Sequence, residues 1–277
     1  MESYNKTPKI RVYILNWNGG EDLKHSITSL QSNKYENFSI TIIDNNSSDS
    51  SLHNLSNEID IVALDKNYGF SSGYNIGIEK SLIDNDEYIV LLNYDTIVEP
   101  DFIENIAKSI NSQSSNSSIY GVKILYHNNQ NLIWYAGGEI QLKRGIIRHI
   151  GLREDRGEYM ENYETDYVTG CCMIMHKDVF LKLGGFDDRF FMYNEDVDFC
   201  LRAKSLGIKS KFLSTPIVFH KVSLSVGGNY SIKKIWMKIK SGYQLYRKYY
   251  SFHKAIALMV LYIIKTIFKT DANKKMK

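Results

Sequence analysis

Tyr88-Ile89-Val90-Leu91-Leu92-Asn93-Tyr94-Asp95 opens as a near-continuous apolar run and closes on two oxygen-bearing side chains one residue apart. A strand this apolar fits a parallel sheet buried on both faces. Asn93 and Asp95 can then both face a point just off its end. The same arrangement repeats outward from it. Ile10 to Leu15 is a short β-branched run, and Gly19-Gly20 opens a helical stretch through Leu30. Ser39 to Ile43 reads as a second strand, ending in Asp44-Asn45-Asn46-Ser47-Ser48. Ile59 to Leu64 reads as a third strand and Gly73 to Leu82 as a helix. Strands alternating with helices predict an α/β fold, a mostly parallel central sheet flanked by helices. In such sheets ligands bind beyond the carboxyl ends of the strands, where Asp44 and Asn93-x-Asp95 fall.

Beyond Pro100, a favourable first-turn residue, the helical pattern continues to Ile110, and the polar patch Ser112 to Ser118 marks a loop. From Ile119 to about Met175 the pattern is strand-like and irregular, with a basic hairpin near Lys143-Arg144-Gly145. Asp178 to Leu183 predicts a short helix and Glu195 to Leu206 a longer one. At 277 residues and 43% hydrophobic, the chain has room for one large core plus an appendage and is not of disordered composition. Cys171, Cys172 and Cys200 form neither a disulfide framework nor a metal spacing, which suits a reducing compartment. The N-terminal stretch lacks a signal-peptide pattern, and no run of about 18 apolar residues occurs. The body is expected to be cytoplasmic.

Charge is unevenly distributed. From Ile232 onward twelve Lys and Arg stand against one acid, Asp271, a local +11 that leaves the preceding 231 residues at −8 within an overall +3. A weakly acidic body with a basic tail predicts a tail that touches something anionic. Ile232 to Tyr250 mixes Lys with Ile, Trp, Met and Tyr at helical spacing, and Ala255 to Phe268 is almost wholly apolar. Such a segment suits a helix in a membrane interface, or one packed on the body or on a second subunit. The expected division is a main domain over 1–228 and a basic, apolar helical extension over 229–277.

Four motifs carry the chemistry. Hard divalent cations take oxygen ligands, and Asn93 and Asp95 could supply two beside a bound diphosphate; otherwise Asp95 caps the following turn. Asp44 could accept hydrogen bonds from a base or ribose, with nearby hydroxyls and Asp49 capping the next helix. Asn67-Tyr68-Gly69-Phe70-Ser71-Ser72-Gly73-Tyr74-Asn75-Ile76-Gly77 spaces its glycines by four. Gly73 and Gly77 then share a helix face, and a helix start here could approach phosphate. This is not the Gly-x-Gly-x-x-Gly spacing of dinucleotide sites, which disfavours a dehydrogenase. Glu195-Asp196-Val197-Asp198 puts three carboxylates in the first turn of a helix, where its dipole favours them. One of them, Asp196 above the others, could take a proton from an attacking hydroxyl.

In this order, Asp44-Asn45 with Ser47 and Asp49, Asn67 to Gly77, Asn93-x-Asp95 and Glu195-Asp196 resemble glycosyltransferase family two, in its bacterial rhamnosyltransferase-like branch. The resemblance covers roughly Lys9 to Ser225. It implies a GT-A fold and an inverting transfer from a nucleotide diphosphate sugar, dTDP-rhamnose or a UDP-hexose, to a saccharide hydroxyl. It implies Asp196 as the base, with Asn16, Asp44, Asn45, Asn67, Gly73, Asn75, Asn93 and Asp95 around the donor. Thr169, Gly170, Glu195 and Asp198 would shape the pocket for transferred sugar and acceptor. Asp95, Asn93 and His220 would hold Mg2+ or Mn2+, although a histidine after an apolar run also reads as a packed or capping residue. Asn93 stands where an acid would bind a dication more strongly, so His220 matters more.

Together with the basic tail, the resemblance implies an acceptor linked to polyprenyl diphosphate. The protein would sit peripherally at the inner face of the cell membrane, as in O-antigen or capsule assembly, with no nucleic-acid partner. Two rivals stand beside this reading. A sugar nucleotidyltransferase needs a glycine-rich basic loop near the first strand, where this chain has Asn16-Trp17-Asn18-Gly19-Gly20-Glu21. A non-catalytic GT-A-fold binding protein gains from Asn93 and loses from the intact Glu195-Asp196 pair.

Overall fold

The structure, a computed structural model, describes residues 7–112, 117–222 and 232–261. Its central sheet begins with four parallel strands, β1 (Ile10–Asn16), β2 (Phe38–Asp44), β3 (Asp60–Ala63) and β4 (Tyr88–Asn93), in the order β3-β2-β1-β4. Then follow β5 (Thr96–Val98), β6 (Ser118–Tyr126), β7 (Asn129–Tyr135), the hairpin β8 (Gly138–Gln141) and β9 (Ile146–His149), β10 (Tyr163–Thr165), β11 (Cys172–His176) and β12 (Lys209–His220). The main path runs β10-β12-β6-β11-β4-β1-β2-β3. Along it, among the described residues, β10 and β11 alone oppose the common direction. The sheet is mixed but mostly parallel.

Helices cover both faces: α1 (Gly20–Gln31), α2 (Gly69–Ser81), α3 (Phe102–Asn111), α4 (Lys177–Leu183), α5 (Glu195–Ser205) and α6 (Ile232–Tyr249). The apolar run of β4 is thereby explained. Tyr88, Val90 and Leu92 join Leu23 and Ile27 of α1 and Ile103 and Ile106 of α3 in one core cluster. Ile89 and Leu91, on the other face, join Tyr74 and Ile78 of α2 and Val197 and Phe199 of α5. Both faces are covered, so neither can alternate with polar residues.

Some boundaries move, for local reasons. α2 starts at Gly69, four residues before the predicted Gly73. Gly69 has φ +76°, and a Cβ there would lie 2.4 Å from the Phe191 carbonyl oxygen, so the glycine lets the chain turn against that loop. α3 starts at Phe102, leaving Pro100 outside in the preceding turn. Asp49 caps no following helix; its Oδ2 accepts from Gly20 N at 2.9 Å, at the start of α1. The predicted loop Ser112 to Ser118 gives way to β6 at Ser118, and residues 113–116 lie outside the described ones. In the tail a further helix covers 252–261, and the rest of the apolar stretch to Phe268 lies outside the described residues. Among the described residues no helix is long and apolar enough to cross a membrane.

At the amino end of the parallel strands sits a buried charge cluster. Arg11 Nε donates to Asp86 Oδ2 at 2.6 Å, and its Nη1 donates to Asp60 Oδ2 at 2.7 Å and to Thr41 Oγ1 at 2.9 Å. Burial opposes the Arg11 charge, but Asp86 and Asp60 outweigh it and raise its pKa. Asp86→Ala would leave Arg11 the exposed Asp60 as its remaining counter-charge and its Nε without a carboxylate, so it should cost about 1–3 kcal/mol of stability, read as a lowered urea midpoint. An unchanged midpoint would show that water can enter and solvate Arg11.

Candidate active site

Strand register alone gathers much of the site. Asn16 at the end of β1 pairs with Asp44 at the end of β2, and Leu15 pairs with Asn93 of β4. β11 runs antiparallel with Cys172 opposite Leu92, so Thr169-Gly170-Cys171 precede it at the same edge. β12 ends with His220 opposite Thr96, beside Asp95. His220 Nε2 lies 3.3 Å from Asp95 Oδ1. A cavity of about 720 Å³ opens over this edge, a size typical of small-ligand sites. Of the predicted residues, Asn45, Asn67, Asn93, Asp95, Thr169, Gly170, Glu195, Asp196 and His220 line it.

Other predicted residues stand behind the wall. Asn16 is fully buried, and its Nδ2 donates to Asp44 Oδ1 at 3.2 Å and to Ser47 and Ser51 Oγ at 2.9 Å each. Asp44 also accepts from Ser47 N, which fixes the loop after β2. Gly73 packs α2 on β1, where a Cβ would lie 2.9 Å from Leu15 Cδ1. Asn75 clamps the loop after α4, donating to Phe186 O and accepting from Phe186 N, both at 2.8 Å. Asp198 is wholly buried and meets Arg202, Lys248 and Tyr249, so it ties α5 to α6 rather than facing an acceptor.

Asp196 is half-buried and opens on the cavity. Its Oδ2 accepts from Gly170 N at 3.0 Å and its Oδ1 from Val197 N at 2.8 Å. Burial raises its pKa, and those amide donors counteract only part of the shift. Glu195, 6% exposed, is pushed well above the usual carboxylate range by burial and then by the charge of Asp196. Both carboxylates are thus held above their ordinary range, Glu195 with the added push of its neighbour's charge. The turn that presents them is strained. Tyr193 and Asn194 have φ +73° and +61°, values unusual outside glycine. Ser241 of α6 holds that turn, accepting from Asn194 Nδ2 at 3.0 Å and donating to Tyr193 O.

Some wall residues left no signal in the sequence. His149 lies in the irregular β8–β9 hairpin, and burial lowers its pKa to about 4. Trp134 is packed edge-on between His149 and His220, with centroids 4.4 and 4.5 Å away. Tyr193, Lys234 and Lys238 also line the cavity. Among the described residues no group of three or more His, Cys, Asp and Glu forms a metal cage. Asp95 and His220 nevertheless meet, and Asn93 lines the same cavity, so oxygen and nitrogen donors share one wall. His220 Nδ1 is buried without a partner among the described residues.

Comparison with known proteins follows this geometry. Residues 11–184 match the family described as Glycosyl transferase family 2, a segment that ends before Glu195. The chain is 30% identical over 200 residues to the low-salt glycan biosynthesis hexosyltransferase Agl10 of Haloferax volcanii, covering 70% of this chain and 61% of that one. It is 26% identical over 165 residues to the rhamnosyltransferase WbbL of Escherichia coli K12, covering 56% of this chain and 60% of that one. The chain thus spans about three fifths of the length of these curated relatives. The fold is similar to that of GalNAc-T7, solved with UDP, GalNAc and Mn2+, with TM-score 0.64 and 18% identity over 77% of this chain and 44% of that one.

Proposed function

Because the chain belongs to glycosyltransferase family 2, we propose that it transfers a hexose from a nucleotide diphosphate donor to a hydroxyl of a saccharide acceptor, with inversion. The observation that carries this reading is the shared cavity of Asp95 and Asp196, brought together at one sheet edge from distant segments. Rhamnose from dTDP or a hexose from UDP is the donor class, in keeping with the rhamnosyltransferase and hexosyltransferase names of WbbL and Agl10. Glycan assembly at the cytoplasmic face of the membrane is the setting, with the tail as a peripheral contact and the body over 1–228 as the transferase domain.

Asn67, Asn45 and the start of α2 would border the donor, with Trp17 and Leu15 beside the nucleotide. Asp95, His220 and Asn93 would hold Mg2+ or Mn2+, which would supply Lewis-acid neutralisation of charge on the departing diphosphate. Asp196 takes the proton of the acceptor hydroxyl as its oxygen bonds to the anomeric carbon. The bond from that carbon to the phosphate oxygen breaks, and the nucleoside diphosphate leaves with the electron pair. Attack from the face opposite the leaving group inverts the centre. Thr169 and Gly170 shape the wall beside the base, and the Gly170 amide fixes its carboxylate.

Incubation with dTDP-rhamnose, UDP-glucose and UDP-N-acetylhexosamines in Mn2+ tests the reading by nucleoside diphosphate release. One donor should be turned over well above the others when a saccharide acceptor is present. Binding of a donor with no release under any acceptor would make the chain a binding protein of this fold.

A further inference from the structure

One histidine on the cavity wall has a committed ring nitrogen and a spare one. His149, the last residue of β9, lines the cavity, and its Nδ1 lies 3.2 Å from Trp134 O. A carbonyl oxygen can only accept, so Nδ1 carries the proton. Burial keeps the imidazole neutral, which leaves Nε2 with a lone pair. Among the described residues nothing bonds to Nε2. Neighbouring rings hold the imidazole in this orientation. Trp134 and Tyr135 meet it edge-on, with centroids 4.4 and 5.2 Å away, and Tyr167 lies 6.1 Å off. An acceptor fixed in this way by its supporting shell is suited to reading a hydroxyl.

Its place on the wall decides whose hydroxyl that is. Trp134 packs against both His149 and His220, and His220 reaches Asp95. On the other side Tyr167 adjoins His149, and burial, followed by the Asp196 charge, pushes the Tyr167 hydroxyl well above its ordinary pKa. His149 thus stands between the Asp95–His220 end of the cavity and the Asp196 end. During transfer the diphosphate occupies the first end and the attacking hydroxyl the second. The sugar in transit spans the gap, its anomeric carbon between the two oxygens.

We propose that His149 Nε2 accepts a hydrogen bond from a hydroxyl of the transferred sugar and so selects which hexose is moved. The inference rests on the reading of the cavity as a sugar-transfer site, and deepens it by naming a residue that reads the sugar and not the nucleotide. The group recognised is a neutral O–H. A sugar lacking it would leave Nε2 unpaired in the closed complex, and a carboxylate there would face the lone pair.

Calorimetry on the full chain in Mn2+ compares UDP with UDP-glucose and dTDP with dTDP-rhamnose. In the wild type one sugar nucleotide should bind more tightly than its bare nucleotide. His149→Asn keeps an amide donor for Trp134 O but has no acceptor at the Nε2 position. It should weaken that sugar nucleotide by about 3–10-fold, the worth of one neutral hydrogen bond, and leave the bare nucleotide unchanged. His149→Gln, whose amide oxygen reaches the Nε2 position, should recover part of the loss. If His149→Asn fails to fold, His149→Phe, which keeps a ring among the aromatic neighbours, should show the same selective loss. A variant with the wild-type gain from the sugar, an equal loss on the bare nucleotide, or no gain from either sugar in the wild type would each overturn the assignment. The transfer reading fails separately, if a sugar nucleotide held through His149 is never split to nucleoside diphosphate with any acceptor.

Discussion

Asp196→Asn should lower sugar transfer by about 10²–10⁴-fold, the usual contribution of a positioned general base, while donor binding persists. The amide keeps the shape of the carboxylate but has one accepting oxygen, so it retains one of the contacts from Gly170 N and Val197 N and gives up the other together with proton acceptance. The pH dependence gives an independent reading. Burial raises the Asp196 pKa, so the basic form is present above that raised value and lost as pH falls through it. The acid limb of kcat/KM should lie above the usual aspartate range near 4, and the variant's residual rate should lose that limb. Stability has the opposite sense: a carboxylic acid with a raised folded pKa loses folding stability as pH rises from its unfolded value through the folded one. The variant removes that penalty at neutral pH but gives up one of the two backbone-amide contacts, and thermal melting of both proteins reads the balance. Retention of most of the rate in a folded Asp196→Asn protein would remove Asp196 from the role of base.

Asp95→Ala should weaken Mn2+-dependent UDP binding by about 100-fold or more, beyond the 10–100-fold usual for losing an outer partner of a metal ligand. Of the proposed donor set, Asp95 carries the one negative charge, and the Asn93 amide cannot replace it. The fold should tolerate the change, because the Asp95 backbone oxygen still accepts from Lys221 N and the side chain meets His220 at the cavity wall. UDP titrations with and without Mn2+ measure the difference. An Asp95→Ala protein whose UDP affinity still rises with Mn2+ as in the wild type would place the cation elsewhere.

The strand ends were legible because β4 turns from apolar to polar at Asn93, and register then carries Asn16 and Asp44 to the same level. What those side chains touch was not legible. Asn16 and Asp44 satisfy each other and a serine loop, a closure set by the path after β2 and not by spacing. Asp198 looked like its neighbours Glu195 and Asp196, three acids in one helical turn. Its partners Lys248 and Tyr249 lie some fifty residues away, and only packing of α6 reveals them. The lysines of α6 were read as a face toward anionic headgroups; periodicity gives a helix two sides but not the neighbour of each. His149 gave no signal because its hairpin has no regular period and its surroundings come from Trp134.

The pairing of β12 with β5 has a consequence for how the molecule is made. Asp95 emerges from the ribosome early and must wait for His220, and the strained Tyr193-Asn194 turn waits for Ser241, which is made later still. The parallel strands β1 to β4 can collapse first, domain-like, at the pace of synthesis. Long-range closure comes late because its entropy must be offset before its contacts form. A nascent chain stalled before α6 would hold the parallel strand ends without the clamp on the Tyr193-Asn194 turn until that helix docks.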